Sequence, residues 1–241
     1  MKLQTRNLNF LEEFKEVDID SKITPLICAA SLGRLECVKI LLSNKEIDVN
    51  MTTQPGRFTP IGVACATGNL EILKILLEHG ADVNKEACEQ PPLTYCFTRL
   101  QEETNAFENQ LICMKMAESL LQRGANIDAI VDKDKGYTLL MQFCAIKIEL
   151  TEFEKLTNKK VIKFLLEQGA DRQLRSRKGK TPYELAENHC NKEEVRKLLD
   201  TVKQKYYYES PATTASDVPR KKKWLIEESS WNPFCTKFKW C

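Results

Sequence analysis

The stretch TPIGVACATGNLEILKILLEHGADVN, residues Thr59 to Asn84, decides the fold. Two short apolar-striped segments lie either side of Gly68. In the second, Leu70, Leu73, Leu76 and Leu77 recur at the three-and-four spacing that lines one helix face. The stretch therefore reads as a helical pair. Its second helix is expected to stop at Glu78-His79-Gly80, where glycine tolerates the left-handed conformation that ends a helix, with extended chain over Ala81 to Asn84. A unit this short leaves an apolar face uncovered, so it needs neighbours of its own kind.

The chain supplies those neighbours. Measured from Thr59, Pro60 lies at +1, Ala64 at +5, Gly68 at +9 and the Leu76-Leu77 pair at +17 and +18. From Thr24, Pro25, Ala29, Gly33 and Leu41-Leu42 fall at the same offsets, and the two copies are 35 residues apart. Thr can cap a helix start with its hydroxyl, Pro in the first turn gives up no internal hydrogen bond, and Ala at +5 lets two helices approach closely. The openings Thr24-Pro25-Leu26, Thr59-Pro60-Ile61 and Thr181-Pro182-Tyr183 recur with the turns Gly80-Ala81-Asp82, Gly124-Ala125-Asn126 and Gly169-Ala170-Asp171. On these residues the chain resembles the ankyrin-repeat family, whose period is about 33 residues with a T-P-L-H-x-A opening, two antiparallel helices and a protruding β-turn. The resemblance covers residues 24 to about 200. It implies an all-α fold, an ankyrin-like α-solenoid of about five helix-turn-helix repeats with short β-turn fingers. The motif His is replaced throughout, by Ile27, Gly62 and Glu184.

Taken in order, residues 1–23 contain NLNFLEEFKEV, a short amphipathic helix with Asn9 and Glu12 at capping-box spacing, read as the amino-terminal cap of the stack. Residues 24–203 form the repeat domain, with repeats near 24–58, 59–90, 91–137, 138–180 and 181–203. The first repeat's corner, Ser43 to Glu46, lacks Gly-Ala and is expected to be locally rebuilt. In repeats three and four the leucine pairs Leu120-Leu121 and Leu165-Leu166 arrive twelve and ten residues late. Both insertions fall between the helices. Asn105 with Glu108 and Thr151 with Glu154 have capping-box spacing, so the added residues are expected to lengthen helices, bringing Leu100 and Phe107 near Leu150, Phe153 and Leu156 as a lateral ridge. Residues 204–241 comprise a linker rich in Pro, Ser, Thr and Ala, then a basic and aromatic tail.

Charge is nearly balanced, 36 basic against 34 acidic residues, but 204–241 hold seven Lys/Arg against four Asp/Glu. No apolar run approaches the roughly 18 residues of a membrane span. The start MKLQTRNLNF lacks the apolar core of a secretory signal, so a cytoplasmic, possibly cytoskeletal, location is expected. Ten cysteines invite a metal or disulfide reading until they are placed on the repeat. Cys96 falls at +5 from Pro91, and Cys65 and Cys144 at +6 from Thr59 and Thr138, where small buried side chains belong. We expect no metal, no cofactor and a reducing compartment. Only Cys235 and Cys241 are placed to pair.

Catalysis finds no support: His79 and His189 are explained locally, and no phosphate-binding loop, zinc-protease helix or dinucleotide fingerprint is present. The resemblance implies instead that protein partners bind along turn tips and the concave helix face. That places Arg57 and Phe58, Lys85 and Glu86, then Asp134, Lys135 and Tyr137, and finally Arg172, Arg175, Arg177, Lys178 and Lys180 at the surface. The tail adds Arg220, Lys221, Lys222 and Lys223 with Trp224, Trp231, Phe234 and Trp240. All three Trp of the chain are there, and Trp and Arg dominate interface anchors. The expected function is a non-catalytic scaffold or adaptor that binds one or more proteins within a larger assembly. The alternatives are binding of nucleic acid or an anionic surface through the basic finger 172–180 and residues 220–223, and a substrate adaptor of a ubiquitin ligase. Asn84, which ends an Asp-Val-Asn turn, matches the site type that asparagine hydroxylases modify in ankyrin proteins.

Overall fold

The computed structural model describes residues 24–53, 57–97, 106–146 and 150–201. Among them are five helix pairs in chain order. They are α1 (Pro25–Ser31) with α2 (Leu35–Ser43), α3 (Pro60–Thr67) with α4 (Leu70–Glu78), and α5 (Pro92–Tyr95) with α6 (Ala106–Gln122). The last two are α7 (Leu139–Cys144) with α8 (Glu152–Glu167), and α9 (Pro182–Leu185), extended by a 3-10 turn, with α10 (Lys192–Thr201). First helices pack on first helices and second on second: α1 on α3 and α3 on α5, α2 on α4 and α4 on α6, then α7 on α9 and α8 on α10. This is the stack expected from the spacing.

The starts and stops repeat for one physical reason each. Thr24, Thr59, Thr138 and Thr181 all sit in extended backbone and accept a hydrogen bond from the N–H three residues on, at 3.2, 3.0, 3.4 and 3.3 Å. Each satisfies a donor that has no partner inside the helix. At the other end, Gly80 has φ 81°, its N–H donates to Leu77 O at 3.3 Å, and the Ala81 N–H donates to Leu76 O at 2.9 Å. Gly124-Ala125 and Gly169-Ala170 close α6 and α8 with the same two bonds. A side chain at these positive φ angles would be strained, so the glycines fix where each helix ends.

The core runs through the stack. The leucines Leu73, Leu76, Leu120, Leu165 and Leu166 are fully buried, as are Ala64 and Ala186 at the +5 position. Cys65, Cys96 and Cys144 are buried as the repeat placed them. Burial, and for Cys96 the adjacent Cys65 thiol, pushes the Cys96 thiol well above its ordinary range, and burial alone does the same to Cys144. They pack as small protonated side chains.

The insertions lengthen the second helices: α6 and α8 have 17 and 16 residues where α2 and α4 have 9. Thr151 and Glu154 form the capping box, Thr151 N–H donating to Glu154 at 2.8 Å. The extended helices are tied by Gln110, which donates to Thr157 Oγ1 at 3.1 Å and accepts from Lys160 at 2.7 Å. Leu111, Phe153 and Leu156 stand exposed along them. Leu100 and the side chain of Phe107, expected beside them, lie outside the described residues, as do the expected cap helix 1–23 and the segment 204–241.

One expectation changes, and a second gains its detail. Ala81 to Asn84 is not extended: Asp82 Oδ1 accepts the Asn84 N–H at 2.8 Å, which folds the chain into a turn. The rebuilt corner of repeat one is another such turn, with Asn44 Oδ1 accepting the Glu46 N–H at 3.0 Å.

Candidate functional site: the row of turn fingers

Between one helix pair and the next the chain projects a finger, and each finger base is built on two polar residues with one residue between them. The first closes its own turn. Asp48, Asp82, Asn126 and Asp171 accept the N–H two residues on at 2.8, 2.8, 3.0 and 2.7 Å. The second reaches across to the following repeat. Asn50 accepts the Asp82 N–H at 2.8 Å and donates to Gly80 O at 3.4 Å. Asn84 accepts the Asn126 N–H at 2.8 Å and donates to Gly124 O at 3.2 Å, and Asp128 accepts the Asp171 N–H at 2.9 Å. The ladder satisfies peptide groups that the sharp turns leave without partners, and it fixes each finger against the next.

Further ties run nearer the tips. The second finger ends in a two-residue turn, Ala87 and Gln90 exchanging hydrogen bonds of 2.8 and 2.9 Å around Cys88 and Glu89. Gln90 Nε2 donates to Val131 O at 2.7 Å, and Glu86 pairs with Lys133 at 3.0 Å. The third finger is a short antiparallel hairpin, β1 (Ile130–Asp132) with β2 (Tyr137–Thr138). At its tip the Lys135 ammonium lies 2.8 Å from Asp132 and 5.5 Å from the Tyr137 ring centroid. Burial opposes the Asp132 charge, but hydrogen bonds from the Lys135 ammonium and N–H outweigh it and hold the carboxyl below its usual range. The same contact with Asp132 raises Lys135. In the fourth finger Ser176 and Lys180 pair, the Ser176 N–H donating to Lys180 O at 2.9 Å and the Lys180 N–H to Ser176 Oγ at 3.2 Å.

Of the residues expected to meet a partner, Arg57, Glu86, Asp134, Lys135, Arg175, Arg177, Lys178 and Lys180 are exposed, and Lys85 and Tyr137 are half-buried. Phe58 is corrected: it is 3% exposed. Its ring precedes the Thr59 cap and gains more from the core than from water, while its N–H donates to Thr53 Oγ1 at 3.0 Å. Arg172 is corrected as well, because it is half-buried and donates to the Leu199 carbonyl, satisfying the end of α10 instead of facing outward. The first helices offer little in the middle repeats, since Pro60 through Ala66 and Pro92 through Phe97 are all buried. The exposed residues among those expected to meet a partner lie on the fingers. Arg220 to Trp240 of the tail lie outside the described residues.

Residues 3–87 match the family model described as ankyrin repeats, in three copies. This part of the chain, residues 3–87, belongs to the ankyrin-repeat family. The match reaches into residues 3–23, read from the sequence as a cap. No curated protein matches the chain. Ankyrin repeats generally mediate protein–protein interaction, and ankyrin-repeat proteins are typically non-catalytic.

Gly62 stands where the ankyrin motif places His. A Cβ there would lie 2.9 Å from Thr59 Oγ1 and 3.0 Å from Ala87 Cβ, so its absence lets the second finger close onto α3. His189 is buried, its Nδ1 accepts the Asn191 N–H at 2.9 Å at the start of α10, and burial lowers its pKa. Among the described residues no group of three or more His, Cys, Asp or Glu is placed to hold a metal, and no helix is long and apolar enough to cross a membrane.

Proposed function

We propose that this chain is a non-catalytic interaction scaffold or adaptor that holds a protein partner along its finger row. The observation that carries the reading is the ladder of Asn50, Asn84 and Asp128, with the Glu86–Lys133 pair outside it. Fingers already fixed to one another present a preformed surface, so little conformational freedom is lost on docking. The thiols buried at Cys65, Cys96 and Cys144 support a reducing, cytoplasmic setting. The test is affinity capture from cells with the full chain, with Arg57, Lys85 and Lys178 all changed to Ala, and with Glu36 and Lys74 on the second helices changed to Ala. Proteins recovered by the parent chain are expected to be lost from the finger variant and kept by the helix variant. Equal recovery by all three would overturn the reading.

Hydroxylation of Asn84 is a secondary proposal. The native peptide carrying Asn84 is expected to show one added oxygen by mass spectrometry, and an unmodified peptide removes the idea.

A further inference from the structure

We propose that the tips of the third and fourth fingers form one basic site for an acidic segment of a protein partner, which rests on the finger-row reading above. The two tips are joined through backbone: the Arg177 N–H donates to Lys135 O at 2.9 Å. Gly136 makes this approach close. It has φ +66°, and a Cβ added to it would lie 2.8 Å from Arg177 Cγ and 3.0 Å from Arg177 N. Residues about 40 apart in sequence thus share one surface.

That surface is cationic. Lys135, Arg175, Arg177, Lys178 and Lys180 are all exposed on it. Lys135 is engaged by Asp132, and Arg175 donates to Gly179 O at 2.7 Å and lies 3.9 Å from Glu184. Arg177, Lys178 and Lys180 have no ion pair among the described residues. Guanidinium and ammonium groups held this way match carboxylates, Arg177 in a two-pronged fashion. The site also holds carboxylates of its own, Asp132, Asp134 and Glu184. A nucleic acid lays down an unbroken line of phosphates and would meet them, whereas a peptide places discrete carboxylates and can offer N–H donors in between.

Fluorescence anisotropy with the full chain and fluorescein-labelled deca-glutamate, at about 0.05 and 0.2 M salt, tests the proposal. Three variants decide it. Arg177→Glu with Lys178→Glu is expected to weaken binding at least about tenfold. Gly136→Val keeps every charge while wedging the tips apart, and is expected to weaken it about threefold or more. Lys39→Glu with Lys74→Glu, exposed on α2 and α4, is expected to change it less than about twofold.

The double reversal lies on exposed residues and decides the matter even where Gly136→Val melts early by circular dichroism. Binding unchanged in the double reversal would overturn the proposal, as would no binding by the parent chain at about 0.1 mM. Tighter binding of a deca-thymidylate, lost with the same substitutions, would assign the site to nucleic acid and also overturn it. Should deca-glutamate fail while the triple finger variant still loses its captured proteins, only the acidic class is refuted and the finger-row reading stands.

Discussion

Changing Asn84 to Ala is the most informative perturbation of the scaffold, because this side chain has no role inside its own repeat's helices. Its Oδ1 accepts the Asn126 N–H at 2.8 Å and its Nδ2 donates to Gly124 O at 3.2 Å. Truncation removes both bonds at the junction of repeats two and three. A protein hydrogen bond contributes about 0.5–1.5 kcal/mol net, and water reaches this exposed junction to replace part of what is lost. The expected cost is therefore about 1–2 kcal/mol. Asn84→Asp keeps the acceptor and loses the donor, so about half that cost is expected. The neighbour Lys85→Ala should stay within about 0.5 kcal/mol of the parent. Urea unfolding followed by circular dichroism measures the change. Hydrogen exchange localises it, since the Asn126 amide should lose about tenfold in protection. An Asn84→Ala protein within about 0.3 kcal/mol of the parent, with the Asn126 amide still protected, would refute the claim that the ladder fixes the fingers.

Three further perturbations probe the core, the strained tip and the last repeat. Leu76→Ala at a fully buried site should cost about 2–5 kcal/mol in urea unfolding, and Leu121→Ala, half-buried in α6, clearly less. Glu89, held at φ 64° in the second finger, should tolerate Gly with a gain of up to about 1 kcal/mol, seen as a raised unfolding midpoint, because glycine relieves the left-handed strain. His189 has a folded pKa below its ordinary 6.5, so its contribution is present above pH 6.5 and is lost as pH falls through that value towards the folded pKa. The urea midpoint should drop between about pH 7 and 5, and His189→Leu should flatten that slope. Glu194, lowered first by its hydrogen bond from Lys159 and then by Asn191, acts in a separate window, losing its contribution as pH falls below the ordinary carboxylate pKa of 4.5.

What could be read in the chain and what could not divide along a physical line. Thr caps, Gly-Ala stops and leucine pairs are local signals within about one repeat, and the structure keeps each of them. The elongation of α6 and α8 was legible from the late leucine pairs and from Thr151 with Glu154. The misreadings concern where a side chain goes once it leaves the backbone. Position near a tip points Phe58 outward, yet ring burial outweighs position. Arg172 reaches the Leu199 carbonyl, 27 residues away, and Asn84 reaches Asn126, 42 residues away. No local spacing shows such partners. The paired polar residues Asp48/Asn50, Asp82/Asn84 and Asn126/Asp128 are nevertheless a visible signal for the ladder once the repeat is aligned.

Site-directed photo-crosslinking in cells tests the central claim most directly. A benzophenone side chain is placed in the full chain at Lys178 on the fourth finger or at Lys74 on α4. The account predicts a discrete crosslinked protein partner from position 178 and none from position 74. Crosslinks from 74 alone, or from neither position, would contradict it.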